Sequence, residues 1–263
     1  MSTEAPFDNI ASTYDNEFSK TLIGQMQRSC IYSQIEPYLN KHKALKILEL
    51  NCGTGIDARW MASLGHHVIA TDASSGMIDF AKLQNENLDN PIFQKLSFNQ
   101  IEASMFEGKF DMIFSNFAGL NCANKEELQQ LNGRLKEMLN ANGKLYFVLL
   151  GKYSWMEKLY FFIKGDKVRI NRRLRMDKAQ LGVDLYVNTW CYTSKEFSEI
   201  FADFIIVKER PIGLFIPPSY LEPLLHKNRL FIPIVKWLEK AFGSLSFFAN
   251  YGDHIFLEFK LKA

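Results

Sequence analysis

The sequence lacks the features that would place it in several large classes of protein. Its four cysteines are widely scattered among 263 residues, and no pair has the spacing of metal ligands or of a disulfide framework. No apolar run reaches the roughly 18 residues that a membrane-spanning helix needs. The N-terminal segment has neither the basic nor the apolar part of a signal peptide. We therefore expect a cytoplasmic protein without an integral membrane segment.

Motifs of hydrolytic and metal chemistry are also missing. The sequence has no G-x-x-x-x-G-K phosphate loop, no H-E-x-x-H helix and no Ser-His-Asp order. We expect no metal, and we interpret His66, His67 and His254 as structural residues. The formal net charge of +2 is too small to indicate nucleic acid as a partner.

The chain does have an apolar content of 47% and 22 phenylalanines, enough for a large packed core. The phenylalanines indicate either that core or an apolar substrate cavity. Short apolar runs alternate with helical patterns between residues 45 and 150. This alternation predicts a parallel sheet with helical crossovers, which binds ligands at the carboxyl ends of its strands.

A glycine turn follows the first predicted strand, in the stretch ILELNCGTG at residues 47–55. Together with the residues that follow, it is a weak match to the dinucleotide pattern G-x-G-x-x-A, with Asp72 near the distance expected for a ribose contact. Glu49 argues against a dinucleotide, because its carboxylate would repel a pyrophosphate at this turn. S-adenosylmethionine has no phosphate and carries an ammonium and a sulfonium, so an acid at the strand end suits it.

The same stretch resembles the first motif of class I S-adenosylmethionine-dependent methyltransferases, usually an acid, one further residue and then G-C-G-T-G. Asn51 stands where glycine is usual, and asparagine tolerates unusual backbone angles. The resemblance continues through VIATDASSGMIDFAK, FDMIFSNFAGLN and NGKLYFVLL. The segment FDNIASTYDNEF resembles the entry segment of the ubiquinone and menaquinone C-methyltransferases. Together these segments span most of residues 7–150.

This resemblance implies a Rossmann-like, doubly wound α/β fold with a seven-stranded, mostly parallel sheet and a helical, aromatic insertion. The last segment, GDHIFLEFKL, would be the one antiparallel strand, next to the fifth. A single methyltransferase domain would span residues 1–263. Its parts would be lid helices at 1–44, a cofactor-binding core at 45–151, a substrate-covering insertion at 152–190 and the completion of the sheet at 191–263.

The resemblance also implies which residues bind the cofactor. Asp72 would accept hydrogen bonds from both ribose hydroxyls, and Arg28 would pair with the carboxylate in bidentate fashion. Asn99 stands where an acid usually reads the adenine. Structural roles are the alternative, such as a helix cap for Asp72 or core packing for Met77. The full predicted set is Tyr14, Arg28, Glu49, Asn51, Gly53, Gly55, Asp72, Ala73, Met77, Asn99, Gln100, Ile101, Asn116 and Phe117.

The segment at residues 152–190 is rich in aromatic and basic side chains. We predict that it covers the methyl end of the cofactor, with Tyr186 and Trp190 lining the acceptor pocket. Arg172 and Arg173 would lie at the entrance and attract an anionic acceptor. The alternatives are a solvated helical face, or a basic amphipathic stretch in peripheral contact with an anionic membrane.

We therefore predict methyl transfer from S-adenosylmethionine to a small-molecule acceptor, by O- or C-methylation, in a monomer or homodimer. The acceptor would be anionic or amphiphilic. The stretch SNFAGL after the fourth strand differs from the D/N-P-P-Y of aminomethylating relatives, and no residue stands out as a catalytic base. Two alternatives stay open: an NAD-dependent oxidoreductase that uses GTGIDA, and a non-catalytic binding protein that has kept the fold.

Overall fold

The computed structural model describes residues 7–86, 88–176, 178–182 and 185–262. Its strands are β1 (Lys46–Leu50), β2 (His67–Asp72), β3 (Ile92–Lys95), β4 (Phe110–Ser115), β5 (Leu139–Leu150), β6 (Ala179–Gly182), β7 (Leu185–Val187), β8 (Phe204–Ile212) and β9 (His254–Leu261). Seven of them form one sheet in the order β3-β2-β1-β4-β5-β9-β8, and β6 pairs with β7 in a separate hairpin.

Strands β1 to β5 are parallel to one another, so their carboxyl ends meet at one edge of the sheet. Strand β9 lies between β5 and β8 and is antiparallel to both. This confirms the prediction that the last segment inserts antiparallel next to the fifth strand. Its first residue, His254, pairs with Leu150, so β9 begins at the edge where β5 ends.

Helices connect and cover the strands. They are α1 (Ala11–Tyr14), α2 (Leu22–Lys41), α3 (Ile56–Ser63), α4 (Ser75–Leu83), α5 (Lys125–Met138), α6 (Trp155–Ile163), α7 (Ser194–Ile200), α8 (Glu222–Lys227) and α9 (Ile232–Phe242), with a π-helix at Asp15–Ser19. Ser74 accepts a bond from the Met77 N–H, and Asn124 forms a capping box with Glu127. Within the described residues, no helix is both long and apolar enough to cross a bilayer.

The core lies on both faces of the sheet. In β5, Phe147 belongs to the cluster on one face, while Tyr146 and Val148 belong to the cluster on the other, as the two-residue period of a strand requires. The Phe147 ring packs against Phe201 at a centroid distance of 5.3 Å. Many of the 22 phenylalanines therefore serve core packing.

Candidate functional site

The glycine turn lies at the carboxyl end of β1 and has three residues in the left-handed region. Asn51, Gly53 and Gly55 have φ angles of 55°, 52° and 76°. A Cβ at Gly55 would lie 2.5 Å from the Phe93 ring, so this position needs glycine for space as well as for its backbone angle. Asparagine at position 51 adopts the angle that a glycine would otherwise supply, as expected from the sequence.

Glu49 is almost fully buried at this turn, with 1% of its surface exposed. Burial and the nearby Asp57 carboxylate raise the pKa of Glu49 well above its usual range, although the Arg28 guanidinium opposes the shift. Among the described residues, its Oε2 atom has no hydrogen-bond partner. A buried acceptor without a partner fits a cationic donor such as the ammonium of an amino acid.

Arg28 extends from α2 towards the same edge of the sheet. Its Nη1 donates to Asp57, and its guanidinium lies 4.6 Å from the centre of the Phe117 ring. Within the part of the chain that the structure describes, its buried Nε has no hydrogen-bond partner. Because Asp57 engages Nη1, the side of the guanidinium that carries Nε stays available for a ligand carboxylate, and the bidentate pairing stays a prediction.

Asp57, in the first turn of α3, joins three elements around the site. Its carboxylate accepts hydrogen bonds from Arg28, from the Tyr32 hydroxyl at 2.6 Å and from the Asn116 side chain at 2.9 Å. The sequence alone does not indicate a binding role for Asp57, because an acid in a first turn is common for reasons of helix polarity alone. Its burial, with 5% exposed, is the signal that only the structure supplies.

Asp72 ends β2 beside the turn. Its two carboxylate oxygens accept the backbone N–H groups of Gly53 and Ser74, each at 2.9 Å. Burial raises the pKa of Asp72, and these backbone bonds partly offset the shift. The residue therefore shapes the turn itself, and each oxygen keeps a second lone pair for a ribose hydroxyl.

The N-terminal segment lies across these residues. Asp15 accepts the Thr54 hydroxyl at 2.6 Å, and Asp8 accepts the Ser74 hydroxyl at 2.6 Å. Burial raises the pKa of Tyr14 to about 12, and the charges that act on it include Arg28 and Asp72. Tyr14 thus lies in the electrostatic neighbourhood of both predicted cofactor residues.

The residues predicted to contact adenine differ in burial and in their contacts. Met77 is buried in α4 with 1% exposed, and Ala73 is exposed just before that helix. The Asn99 side chain donates to Glu127 at 3.0 Å, and Gln100 is exposed. Ile101 is fully buried in the core cluster, so its side chain serves packing. Its contact with adenine stays a prediction.

The carboxyl end of β4 meets the start of β9 at the same edge. Phe117 adopts a left-handed φ of 44°, and its ring meets the His254 ring edge-on at 5.5 Å. His254 Nδ1 lies 3.1 Å from Asp253 Oδ2, close to it but not aligned for a hydrogen bond. The interpretation of His254 as structural did not include this location at the binding edge. The predicted antiparallel insertion of β9 could have indicated the location, because that insertion brings the start of β9 to the binding edge.

The structure contradicts the free basic entrance predicted for the insertion. Arg172 binds both oxygens of Glu157, at 2.9 and 2.7 Å. Arg173 is 8% exposed and donates to Glu157, to Asp253 and to two backbone carbonyls. Both guanidiniums are occupied by partners of the fold, so neither is available at an entrance to attract an anionic acceptor.

The two aromatic residues predicted to line the acceptor pocket lie in different settings. Tyr186 is half exposed on β7. The Trp190 N–H donates to the backbone carbonyl of Asn121, in the loop after β4, at 2.8 Å, and the Asn121 side-chain amide donates to the Trp190 carbonyl at 2.7 Å. Trp190 is therefore fixed next to the loop that follows the site, whereas no described contact connects Tyr186 with it.

A separate cavity of about 560 Å³ lies at the opposite edge of the sheet. Its lining includes Tyr38, Asp111 and Lys144, which stand at or near the amino ends of the strands. This cavity is remote from the glycine turn and does not contain the residues described above.

Comparisons with known proteins agree with this geometry. A family described as a methyltransferase domain matches residues 47–143. The malonyl-[acyl-carrier protein] O-methyltransferase of Bacillus cereus is 26% identical over 212 residues, which cover 74% of each chain. The biotin biosynthesis bifunctional protein BioHC of Cellvibrio japonicus is 28% identical over 171 residues, or 63% of this chain, and this chain spans only 31% of its length.

A solved S-adenosylmethionine-dependent methyltransferase from Mesorhizobium loti shares the fold. The TM-score is 0.53 with 14% identity, over 86% of this chain and 96% of that one. The motifs at the glycine turn, the sheet order and the matched domain lead to one conclusion. Residues 47–143 match a methyltransferase domain, and the chain has the fold of S-adenosylmethionine-dependent methyltransferases.

Proposed function

We propose that the protein transfers the methyl group of S-adenosylmethionine to an oxygen atom of a small-molecule acceptor, with His254 as the base. The observation that carries this proposal is the buried imidazole of His254 beside Phe117, at the edge where β4 and β5 end. A hydroxyl acceptor must lose its proton during attack, and an imidazole is the side chain best suited to take it near neutral pH.

The residues around the turn fit the cofactor. Oε2 of Glu49, which has no partner in the described part of the chain, suits its ammonium, and Nε of Arg28, in the same situation, suits its carboxylate. Asp72 offers its remaining lone pairs to the ribose hydroxyls. When bound, the cofactor would supply a methyl group activated by its cationic sulfur. The chain's own contribution is to align the two reactants and to exclude water.

Asp253 acts on His254 through its charge. Its Oδ2 lies 3.1 Å from Nδ1 without an aligned hydrogen bond, and this negative charge favours the tautomer that keeps the proton on Nδ1, which leaves Nε2 as the acceptor. Asp253 is itself held by Gln27 at 3.0 Å and by Arg173. The arrangement lets His254 take the acceptor's proton beside the Asp253 carboxylate.

A carboxylate acceptor is the second candidate. Relatives named as O-methyltransferases of malonyl-[acyl-carrier protein] favour it. A carboxylate is already ionised at neutral pH, so its methylation requires no base. Under this alternative, His254 would be a packing residue of the pocket wall.

One experiment distinguishes a hydroxyl acceptor from a carboxylate acceptor. The protein is incubated with S-adenosylmethionine carrying a labelled methyl group and with a small-molecule extract, and the product is identified by mass spectrometry. If the identified acceptor is methylated on a hydroxyl oxygen, His254→Gln should lower kcat for it by about 10²- to 10⁴-fold, the range for loss of a general base. S-adenosylhomocysteine binding should stay close to wild type. A methyl ester product, with kcat unchanged by His254→Gln, would instead establish the carboxylate reaction.

A further inference from the structure

The helices before β9 expose an unusual amount of apolar surface. We call this surface, formed by residues 222–251, the C-terminal face. Leu230 is 90% exposed, Trp237 65% and Phe247 80%, and Phe231 and Ile234 are each more than half exposed. Large apolar patches on a protein surface mark sites of interaction with a protein or a membrane.

Helix α6 extends the same surface. Its residues Phe162 and Ile163 are 71% and 73% exposed. The Tyr160 ring stacks on Tyr220 at 5.2 Å, in the loop that leads to α8. Trp155 packs on Phe215 at 5.6 Å, and Phe215 packs on Phe242 of α9 at 5.5 Å. This chain of aromatic contacts joins α6 and α9 through one loop.

The charges on the C-terminal face all have one sign. Its exposed ionised side chains are the cations Lys227, Arg229, Lys236 and Lys240. The two carboxylates in the segment are used inside the fold. Glu239 is buried and accepts the backbone N–H groups of residues 213–215, at 2.7 to 3.0 Å.

The second carboxylate, Glu222, accepts the N–H groups of Leu22 and Ile23 at the start of α2, at 2.6 and 3.0 Å. The face therefore presents apolar side chains and positive charge, without an acid that is free to neutralise it. These contacts also fix α8 against the helix that carries Arg28.

We propose that the C-terminal face docks on an anionic lipid bilayer. Aromatic and aliphatic side chains would enter the boundary between headgroups and acyl chains, and the four cations would lie at the level of the phosphates. A second copy of the chain fits less well, because a symmetric contact would bring the same cations together. The inference goes beyond the methyl transfer and holds whatever the acceptor is.

The fluorescence of Trp237 can report binding to a bilayer. Of the four tryptophans, Trp60, Trp155 and Trp190 are partly buried, whereas Trp237 is exposed. Adding vesicles of phosphatidylcholine with phosphatidylglycerol should shift the tryptophan emission of the full chain to the blue, and the protein should sediment with them. Vesicles of phosphatidylcholine alone should bind it at least tenfold more weakly. The shift should be absent in Trp237→Phe.

A pair of charge variants tests the surface itself. The double variant Lys236→Glu/Lys240→Glu should bind the anionic vesicles at least tenfold more weakly than wild type. The matched control, Lys82→Glu/Lys125→Glu, changes the net charge equally at exposed positions elsewhere and should bind nearly like wild type. All four positions are exposed, and unchanged far-UV circular dichroism will show that both variants fold.

Three outcomes would overturn the proposal. The first is that the wild-type protein fails to bind anionic vesicles. The second is that both double variants lose binding equally, which would indicate a net-charge effect only. The third is that sedimentation velocity shows a dimer that dissociates in Trp237→Ala while vesicles have no effect. That result would assign the face to a second copy of the chain.

Discussion

Arg28, in the long helix α2, donates a hydrogen bond to Asp57, in the first turn of α3. The pair connects the segment that covers the site with the helix that follows the glycine turn. Because Nη1 is engaged and Nε has no partner among the described contacts, we propose that Arg28 serves both the fold and the ligand. This division of roles can be tested with substitutions that separate charge from geometry.

Arg28→Lys should keep an ion pair with Asp57 but remove the donor at Nε. We expect S-adenosylhomocysteine to bind more weakly by about 1.5–3 kcal/mol, the range for a hydrogen bond to a charged group. Isothermal titration calorimetry measures the affinity, and thermal unfolding monitors the fold. Unchanged affinity in the folded variant would show that another donor holds the cofactor carboxylate.

Glu49→Gln should have opposite effects on the stability of the apo protein and on its affinity for the cofactor. The pKa of Glu49 is raised in the folded protein, so its ionised form destabilises the apo fold at any pH above the unfolded value of about 4.3. Removing this buried charge should increase the unfolding free energy by on the order of 1 kcal/mol near pH 7, a rise in Tm of about 2–4 °C for a chain of this size.

The same variant should bind S-adenosylhomocysteine more weakly, because a neutral amide attracts the ammonium less than a carboxylate does. In wild type, affinity should rise with pH as Glu49 ionises, and this dependence should be reduced in Glu49→Gln. A variant that is less stable than wild type would mean that Glu49 is satisfied inside the apo fold.

Asp72→Ala should weaken cofactor binding by about 1.5–3 kcal/mol, through loss of the ribose contacts. The structure adds a second effect, because Asp72 also holds the Gly53 and Ser74 backbone N–H groups. Thermal unfolding should therefore show a lower Tm in the same variant. Ser74→Ala removes the neighbouring helix cap and provides a control that alters stability locally while leaving the carboxylate in place.

Local patterns in the sequence predicted the sheet well. The continuous apolar run of β5 and the caps of α4 and α5 are set by residues close in the sequence, and the last strand followed from the family resemblance. The insertion was predicted less well, because its charges pair over long distances. Arg173 meets Asp253 across 80 positions of the sequence. A run of basic residues does not reveal such partners.

The candidate site, too, follows from the sequence only in part. The positive φ angles at Asn51 and Gly55 follow from the motif, since few other residues adopt them. The burial of Ile101 does not, because a segment near adenine and a core residue look alike in the sequence. The location of His254 at the binding edge does not follow from its immediate neighbours either, since it depends on strand order.

The network around Arg173 should set the acid stability of the protein. Arg173 and the neighbouring groups lower the pKa of Glu157 and of Asp253, although burial alone would raise both. Carboxyls with lowered pKa values stabilise the fold above their unfolded pKa values, about 4.3 for Glu and 3.9 for Asp. Their contribution should therefore be full near pH 7 and should be lost progressively as the pH falls below about 5.

Arg173→Met should remove the cause of this stabilisation. We expect the unfolding free energy at pH 7 to fall by about 3–5 kcal/mol, because two buried carboxylates lose their shared cation. The decline of stability below pH 5 should become shallower than in wild type. Arg169→Met is the matched control in the same segment, since its partner Asp166 is solvated, and little change is expected. Chemical denaturation across pH 3 to 7 measures both variants. If Arg173→Met is as stable as its control and instead weakens acceptor binding, Arg173 belongs to the acceptor site after all.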